Sequence, residues 1–279
     1  MVRIKRHKEL DYLEVSNRIS QAKISLQGAH IFHFQAKGKQ PLLWLSESSF
    51  FKKNKAIRGG IPICWPWFGP HKKDPDLPNH GFARTSLWEH LKTQELSDTE
   101  TKVTLRLSSS KESLKLWPYR FELTLEIHIG AQLQVSLNTK NLDNKAFTIT
   151  NALHTYLSIA DINTVFIDGL DKKIYYDKVD DSFNNVQEGR LLFTKETDRI
   201  YQNISSELII QDNNRRIRVK TEGSHTLVIW NPGKELADKM PDLSDHTTML
   251  CVESANTLED ESLIRPDKSH RLTTIISQD

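Results

Sequence analysis

Apolar and polar residues alternate along much of the chain with a period of two. In residues 119–129 every second position from Phe121 to Ile129 is apolar, and the positions between them are polar or charged. Residues 102–108 and 133–137 continue the pattern. Because successive side chains of a strand point to opposite faces of a sheet, this alternation indicates antiparallel strands that are buried on one face.

Further apolar or alternating stretches extend this prediction over most of the chain. The other strand candidates are residues 21–35, 42–45, 87–93, 146–159, 164–170, 207–212, 215–220, 225–232, 249–255 and 271–277. Helical patterns are short and cover only residues 111–117 and 234–240. Many strands and little helix favour an all-β fold, a large antiparallel β-sandwich with few short helices. No shift of composition divides the chain, so we expect one domain over residues 1–279 with a broad concave face.

One stretch, Ile57 to Arg84, differs in composition from the rest. It holds four of the 11 Gly and five of the 10 Pro, residues that impose a definite irregular backbone. Its aromatic residues predict that it packs against the body of the protein, which leaves two interpretations open: a structural loop, or part of a site. Its polar candidates for a site are Arg58, His71, Asn79, His80 and Arg84.

Three titratable residues outside that stretch are candidates for chemistry. His154 shares a strand face with Ala152 and Tyr156, opposite the apolar side chains of the same stretch. Glu253 lies inside a hydrophobic run, where loss of solvation would raise its pKa and make it a stronger base near neutral pH. Asp198 is the third, although it could equally lie in an exposed charged loop. Alternatively, His154 could be a structural histidine, and Glu253 could be a carboxylate at a strand end that reaches water.

Arg58 and Arg84 bracket the irregular stretch and could bind phosphate or carboxylate through paired hydrogen bonds. The sequence contains no P-loop and no GxGxxG motif, so nothing supports nucleotide binding. The histidines and carboxylates match no spacing typical of metal ligands, and we expect no metal.

Charge and cysteine content indicate which partners and which cellular compartment to expect. The 38 basic and 36 acidic residues nearly balance, which gives no reason to expect a nucleic-acid partner. The basic N-terminal residues are interpreted as a solvated end. No signal-peptide pattern and no apolar run of bilayer length is present, so we expect no membrane association. Cys64 and Cys251 form no disulfide framework and suggest buried thiols in a reducing compartment, which favours a cytoplasmic protein.

Several motifs, taken together and in order, resemble the hexose-6-phosphate mutarotases, a branch of the aldose 1-epimerase superfamily. The motifs are IRGGIPICWPWFG, LPNHGFAR, LHTYL, VIWNP and CVESAN, which span about Ile57 to Asn256. Two positions depart from the family pattern, because Trp67 and Asn79 stand where relatives often have Gln. The departures concern details of sugar contact rather than the class.

The resemblance implies a monomeric β-sandwich enzyme, without metal or cofactor, that interconverts the α and β anomers of a hexose 6-phosphate, with glucose 6-phosphate as the expected substrate. It implies that His154 is the general acid and Glu253 the general base. His80 and Asp198 would hold sugar hydroxyls or the ring oxygen. Arg58 and Arg84 would bind the sugar and its phosphate.

Two other functions compete with this one. A non-catalytic carbohydrate-binding sandwich would use Trp65, Trp67 and Trp230 to stack on sugars. A glycoside hydrolase would need two carboxylates flanking the scissile bond, and Asp198 and Glu253 could supply them.

Overall fold

The computed structural model of the protein describes residues 1–204, 207–213 and 215–279 and is built mainly from antiparallel strands. In chain order the first strands are β1 (Val2–His7), β2 (Leu10–Ser16), β3 (Ser20–Ser25), β4 (His30–Ala36), β5 (Ile63–Cys64), β6 (Glu89–Ser97), β7 (Glu100–Ser108), β8 (Phe121–Ile129), β9 (Leu133–Asn141), β10 (Phe147–Ile149), β11 (Asn151–Leu153) and β12 (Tyr156–Ser158). The others are β13 (Phe166–Asp168), β14 (Ile174–Asp177), β15 (Ser182–Val186), β16 (Leu191–Leu192), β17 (Thr197–Tyr201), β18 (Leu208–Asp212), β19 (Arg215–Glu222), β20 (Thr226–Asn231), β21 (Met249–Asn256), β22 (Ser262–Ile264) and β23 (Ser269–Gln278).

Two large sheets form the sandwich. One has the strand order β15-β14-β17-β20-β21-β11-β5, with β12 as a further partner of β21, and is called the site sheet below. The other, nine-stranded, has the order β16-β13-β18-β19-β23-β9-β8-β7-β6. A four-stranded sheet, β1-β2-β3-β4, and the pair β10-β22 complete the fold. The helices are short, α1 (Lys111–Leu116) and α2 (Gly233–Ala237). The predicted large antiparallel β-sandwich is therefore confirmed.

Strand β21 shows how the alternation of side chains positions the site. Its Leu250 and Val252 are fully buried in the main core, which contains side chains from both large sheets. Cys251 points to the opposite face of the site sheet, where it belongs to a second apolar cluster. Glu253 has the same parity as Cys251 and therefore shares this second face.

The sequence patterns located most strands but misjudged some segments. Residues 146–159, predicted as one strand, form β10, β11 and β12, because the ladder is interrupted at Thr150 and again at His154 and Thr155. The N-terminal residues interpreted as a solvated end form the edge strand β1, whose basic side chains are exposed. The short hairpin of β14 and β15 shows little alternation of burial, and sequence reasoning missed it. Within the described residues, no helix is long and apolar enough to cross a membrane.

The stretch from Ile57 to Arg84 packs against the body of the protein, as predicted. Trp65 is fully buried and contacts Trp117 and Phe121 edge-on or tilted, with ring centroids 5.0 and 4.4 Å away. Gly81 has a φ of +69°, and a Cβ there would lie 1.9 Å from the Trp65 carbonyl oxygen, so only glycine fits this approach. The stretch is therefore a fixed frame along one edge of the site sheet.

Candidate functional site

The residues singled out from the sequence lie on or beside one face of the site sheet. In the strand register Asp198 pairs with Trp230, Trp230 pairs with Cys251, and Cys251 pairs with Tyr156. Glu253 pairs with Val228 in the neighbouring row. Strands β17, β20, β21 and β12 thus place a polar and aromatic row on the face away from the main core.

His154 occupies the break between β11 and β12. Its backbone N–H donates to the Pro62 carbonyl at 3.0 Å, which ties it to the irregular stretch. Its ring stacks on Tyr156, with centroids 4.8 Å apart and planes 6° from parallel, and meets Trp230 at 85° and 6.0 Å. These contacts hold the imidazole in one orientation beside Glu253.

The His154 and Glu253 side chains face each other. Nδ1 of His154 lies 3.3 Å from Oε1 of Glu253, and only 10% and 2% of the two side chains are exposed. Burial lowers the pKa of His154 well below 6.5 and raises the pKa of Glu253 well above 4.5. Both shifts have the same first cause, because burial disfavours the charged form of each group. A buried acid and a buried base in contact are suited to exchange protons with a bound molecule.

Asp198 lies on strand β17 and not in the exposed loop that was the alternative. Its Oδ2 accepts a hydrogen bond of 2.7 Å from Lys178 Nζ, while its buried Oδ1 has no partner in the part of the chain that the structure describes. After burial, the negative charge of Asp198 is the next cause that raises the pKa of Glu253, whereas Lys178 lowers it. Asp198 and Lys178 thus adjust the neighbouring carboxyl in opposite directions.

His80 approaches from the irregular stretch. Its ring lies 5.8 Å from that of His154, and its φ of +64° is a left-handed conformation. The backbone N–H of Gly69 donates to Nδ1 of His80 at 3.1 Å, which leaves the ring proton on Nε2. Burial, then the positive charges of Arg84, Lys178 and Arg58, lower the pKa of His80. His80 is therefore neutral and carries an N–H donor on Nε2.

The two arginines differ in how they are held. Arg58 donates from Nη1 to the Tyr156 hydroxyl at 2.9 Å and forms a salt bridge with Asp242 at 3.1 Å. Arg84 donates from Nη2 to the backbone carbonyl of Asn79 at 2.8 Å. The positive charges of both arginines act on His154, since each lowers the pKa of its imidazole. Arg58 is thus already held between two side chains, while Arg84 is held by a backbone oxygen.

Three buried side-chain atoms of the site have no hydrogen-bond partner among the described residues. They are Nδ1 of His154, Oδ1 of Asp198 and Oε2 of Glu253. Leaving a buried polar group unpaired costs about 1–3 kcal/mol, so such groups need an explanation. A bound molecule that supplies the missing donors and acceptors provides one.

The two departures from the family pattern belong to the frame. Trp67 is nearly buried and donates from Nε1 to the Pro78 carbonyl at 2.9 Å. Asn79 holds Arg84 through its backbone carbonyl, a contact that any residue at this position could make.

Sequence reasoning missed several members of the site. Lys178 follows the undetected strand β14, and Asp242 lies in a loop without a recognisable pattern, so neither carried a signal. Tyr156 was recognised only by its shared face with His154. The prediction that tryptophans stack on sugars is wrong for Trp65, because this side chain is fully buried and unable to contact a ligand. Trp230 is half-buried and borders His154.

Known proteins resemble this chain in both sequence and structure. A family model described as aldose 1-epimerase matches residues 11–277. A protein of Escherichia coli (strain K12), provisionally named glucose-6-phosphate 1-epimerase, is 36% identical over 272 residues, which cover 96% of this chain and 90% of that protein. A protein of Cenchrus ciliaris with the same provisional name is 34% identical over 263 residues, which cover 90% of this chain and 79% of that protein. The crystal structure of a protein from Salmonella typhimurium, provisionally described as a mutarotase, has a TM-score of 0.93 at 34% identity and covers 99% of this chain and 93% of that one.

Proposed function

Because the chain belongs to the aldose 1-epimerase family, we propose that it interconverts the α and β anomers of a hexose 6-phosphate, with glucose 6-phosphate as the substrate. The protein is accordingly an isomerase. The observation that carries the proposal is the buried contact between His154 and Glu253, which supplies an acid and a base within 3.3 Å of each other.

In the proposed reaction, Glu253 removes the proton from the C1 hydroxyl while His154 protonates the ring oxygen. The C1–O5 bond opens to a free aldehyde, C1 turns about the C1–C2 bond, and the reverse transfers close the ring on its other face. The unpaired Oε2 of Glu253 is the oxygen available to accept the proton. Burial makes protonated His154 a stronger acid and ionised Glu253 a stronger base, which favours both transfers. Each group is expected to contribute roughly 10²–10⁴ in rate.

Positioning of the sugar falls to the surrounding side chains. His80 offers a neutral N–H donor, and Asp198 offers the unpaired Oδ1, so both suit sugar hydroxyls. Arg58, Arg84 and Lys178 give the site three positive charges, all of which act on His80. Such a cluster suits the phosphate, whose binding energy would hold the ring in a productive geometry although it is remote from C1.

The setting of the protein is proposed on the same basis. Cys64 and Cys251 are free and buried, which fits a reducing compartment such as the cytoplasm. A single domain over residues 1–279 is supported by the main core, whose members run from Leu13 to Ile276. We also propose that the protein is a monomer and that it binds neither nucleic acid nor a membrane.

The test is the relaxation of freshly dissolved α-glucose 6-phosphate, followed by polarimetry or NMR. The proposal requires that catalytic amounts of protein speed the approach to anomeric equilibrium. An unchanged spontaneous rate, together with tight sugar binding, would instead support a carbohydrate-binding protein. Release of the alcohol from a glycoside would support a hydrolase.

A further inference from the structure

Cys251 is a buried thiol that lies beside both His154 and Glu253. The ligand atoms of His154, Cys251 and Glu253 all lie within 4.8 Å of one another, and the three residues are 8%, 0% and 1% exposed. The proposed reaction gives Cys251 no task. Its position beside both proton-transfer groups therefore asks for a separate explanation.

Two of these side chains also carry unpaired atoms. Nδ1 of His154 and Oε2 of Glu253 are buried and have no hydrogen-bond partner within residues 1–204, 207–213 and 215–279, and both residues are more than nine-tenths buried. Imidazole, thiolate and carboxylate are the ligands that zinc prefers, and three protein ligands with one open position is a common arrangement for this ion. In such a tetrahedral site the ligand atoms stand about 3.5 Å apart, so closure around an ion needs movements of about 1 Å.

We propose that His154, Cys251 and Glu253 form an inhibitory site for a zinc-like divalent cation. On binding, the Cys251 thiol and the Glu253 carboxylic acid would each release a proton to the solvent. The resulting thiolate and carboxylate would together neutralise the charge of the ion, which offsets the repulsion from the nearby Arg58. Magnesium prefers oxygen ligands and octahedral geometry and would not be held here. The inhibition rests on the proposed function, because the bound ion would occupy both groups that transfer protons, whereas binding of the ion does not depend on that function.

Binding is tested first, without reference to activity. Metal-free wild-type protein is titrated with Co²⁺, and a thiolate-to-cobalt charge-transfer absorption with the visible bands of a tetrahedral ion is expected at one equivalent. Cys251→Ala should abolish the charge-transfer absorption. Cys64→Ala is the matched control, since Cys64 lies on the same sheet but outside the cluster, and it should leave the spectrum unchanged. A spectrum that survives in Cys251→Ala, or is lost in Cys64→Ala, overturns the site.

Inhibition is tested next, with the anomer-exchange assay and with Zn²⁺ or Mg²⁺. Zinc should inhibit the wild type reversibly on addition of EDTA, and magnesium should not. Cys251→Ala should need at least about 100-fold more zinc for half-inhibition. Removal of a residue that only hydrogen-bonds to a metal ligand already lowers the metal affinity by up to about 100-fold, and loss of a ligand should cost at least as much. Equal inhibition of Cys251→Ala and wild type contradicts the proposal. If Cys251→Ala does not fold, Cys251→Ser serves, with loss of the charge-transfer absorption as the readout.

The two arms separate failure of the site from failure of the proposed function. Cobalt binding through Cys251 in a protein that has no anomer-exchange activity retains the metal site and rejects the enzyme function. Anomer exchange by a protein that shows no thiolate–cobalt absorption rejects the metal site and retains the enzyme function.

Discussion

Nδ1 of His154 lies 3.3 Å from Oε1 of Glu253, and burial moves the two pKa values in opposite directions. The free pair therefore favours the neutral imidazole with the neutral carboxylic acid. Transfer of one proton from Glu253 to His154 gives the ion pair from which the proposed ring opening starts. The two proton arrangements of His154 and Glu253 are thus the two states that the proposed reaction would interconvert.

Substitution of Glu253 by Gln is predicted to stabilise the protein increasingly as pH rises above 4.5. The pKa of Glu253 is raised in the folded state, so the unfolded chain ionises first and the wild type loses stability from about pH 4.5, the ordinary value, up to the folded pKa. Gln has no such dependence, and the unpaired Oε2 means that little hydrogen bonding is lost. The difference in Tm between variant and wild type, measured from pH 4 to 9, should grow toward alkaline pH.

The matched control for this prediction is His154→Gln, for which the sign reverses. The pKa of His154 is lowered in the folded state, so the unfolded chain gains its proton first as pH falls below 6.5. The difference in Tm between this variant and wild type should therefore become more favourable toward acidic pH. Differences that do not vary with pH in either variant would show that the two groups are not neutralised by burial.

Asp198 and Lys178 are predicted to shift the alkaline limb of the pH profile in opposite directions. The negative charge of Asp198 raises the pKa of Glu253 and the positive charge of Lys178 lowers it. Asp198→Asn should therefore move the alkaline limb of kcat/KM to lower pH, and Lys178→Met should move it to higher pH, since this limb reports loss of the pair's one proton in the free enzyme. Shifts of the same sign in both variants would contradict the assignment of this limb to Glu253.

Arg84 is predicted to favour phosphorylated sugars over free sugars. Its guanidinium has a backbone carbonyl as its partner, whereas Arg58 is already engaged by Tyr156 and Asp242. A hydrogen bond to a charged group contributes about 1.5–3 kcal/mol, so Arg84→Ala should raise KM for glucose 6-phosphate by roughly 10–100-fold and that for glucose much less.

The control for Arg84 is Arg106→Ala, which removes a partly exposed arginine of the nine-stranded sheet that pairs with Glu89. It should leave both KM values unchanged. Equal losses on glucose and glucose 6-phosphate in Arg84→Ala would exclude a phosphate-binding role.

The sequence predicted the architecture because burial on one face leaves a periodic trace. Strands such as β8 follow the alternation closely, and the parity of Cys251 and Glu253 on β21 gave the face that carries the site. Strand β17 was missed because the charged residues Asp198 and Arg199 interrupt its apolar pattern. The contact between Lys178 and Asp198 could not be predicted, since it depends on the pairing of β14 with β17, which leaves no local signal in the sequence.

The most direct test of the account is the exchange between the C1 signals of α- and β-glucose 6-phosphate at equilibrium, measured by magnetisation-transfer NMR with wild-type protein and Glu253→Gln. We expect the wild type to accelerate the exchange well above the spontaneous rate. We expect Glu253→Gln to lose roughly 10²–10⁴ of that acceleration while it keeps its fold. Undiminished exchange in folded Glu253→Gln, or exchange at the spontaneous rate in the wild type, would contradict the account.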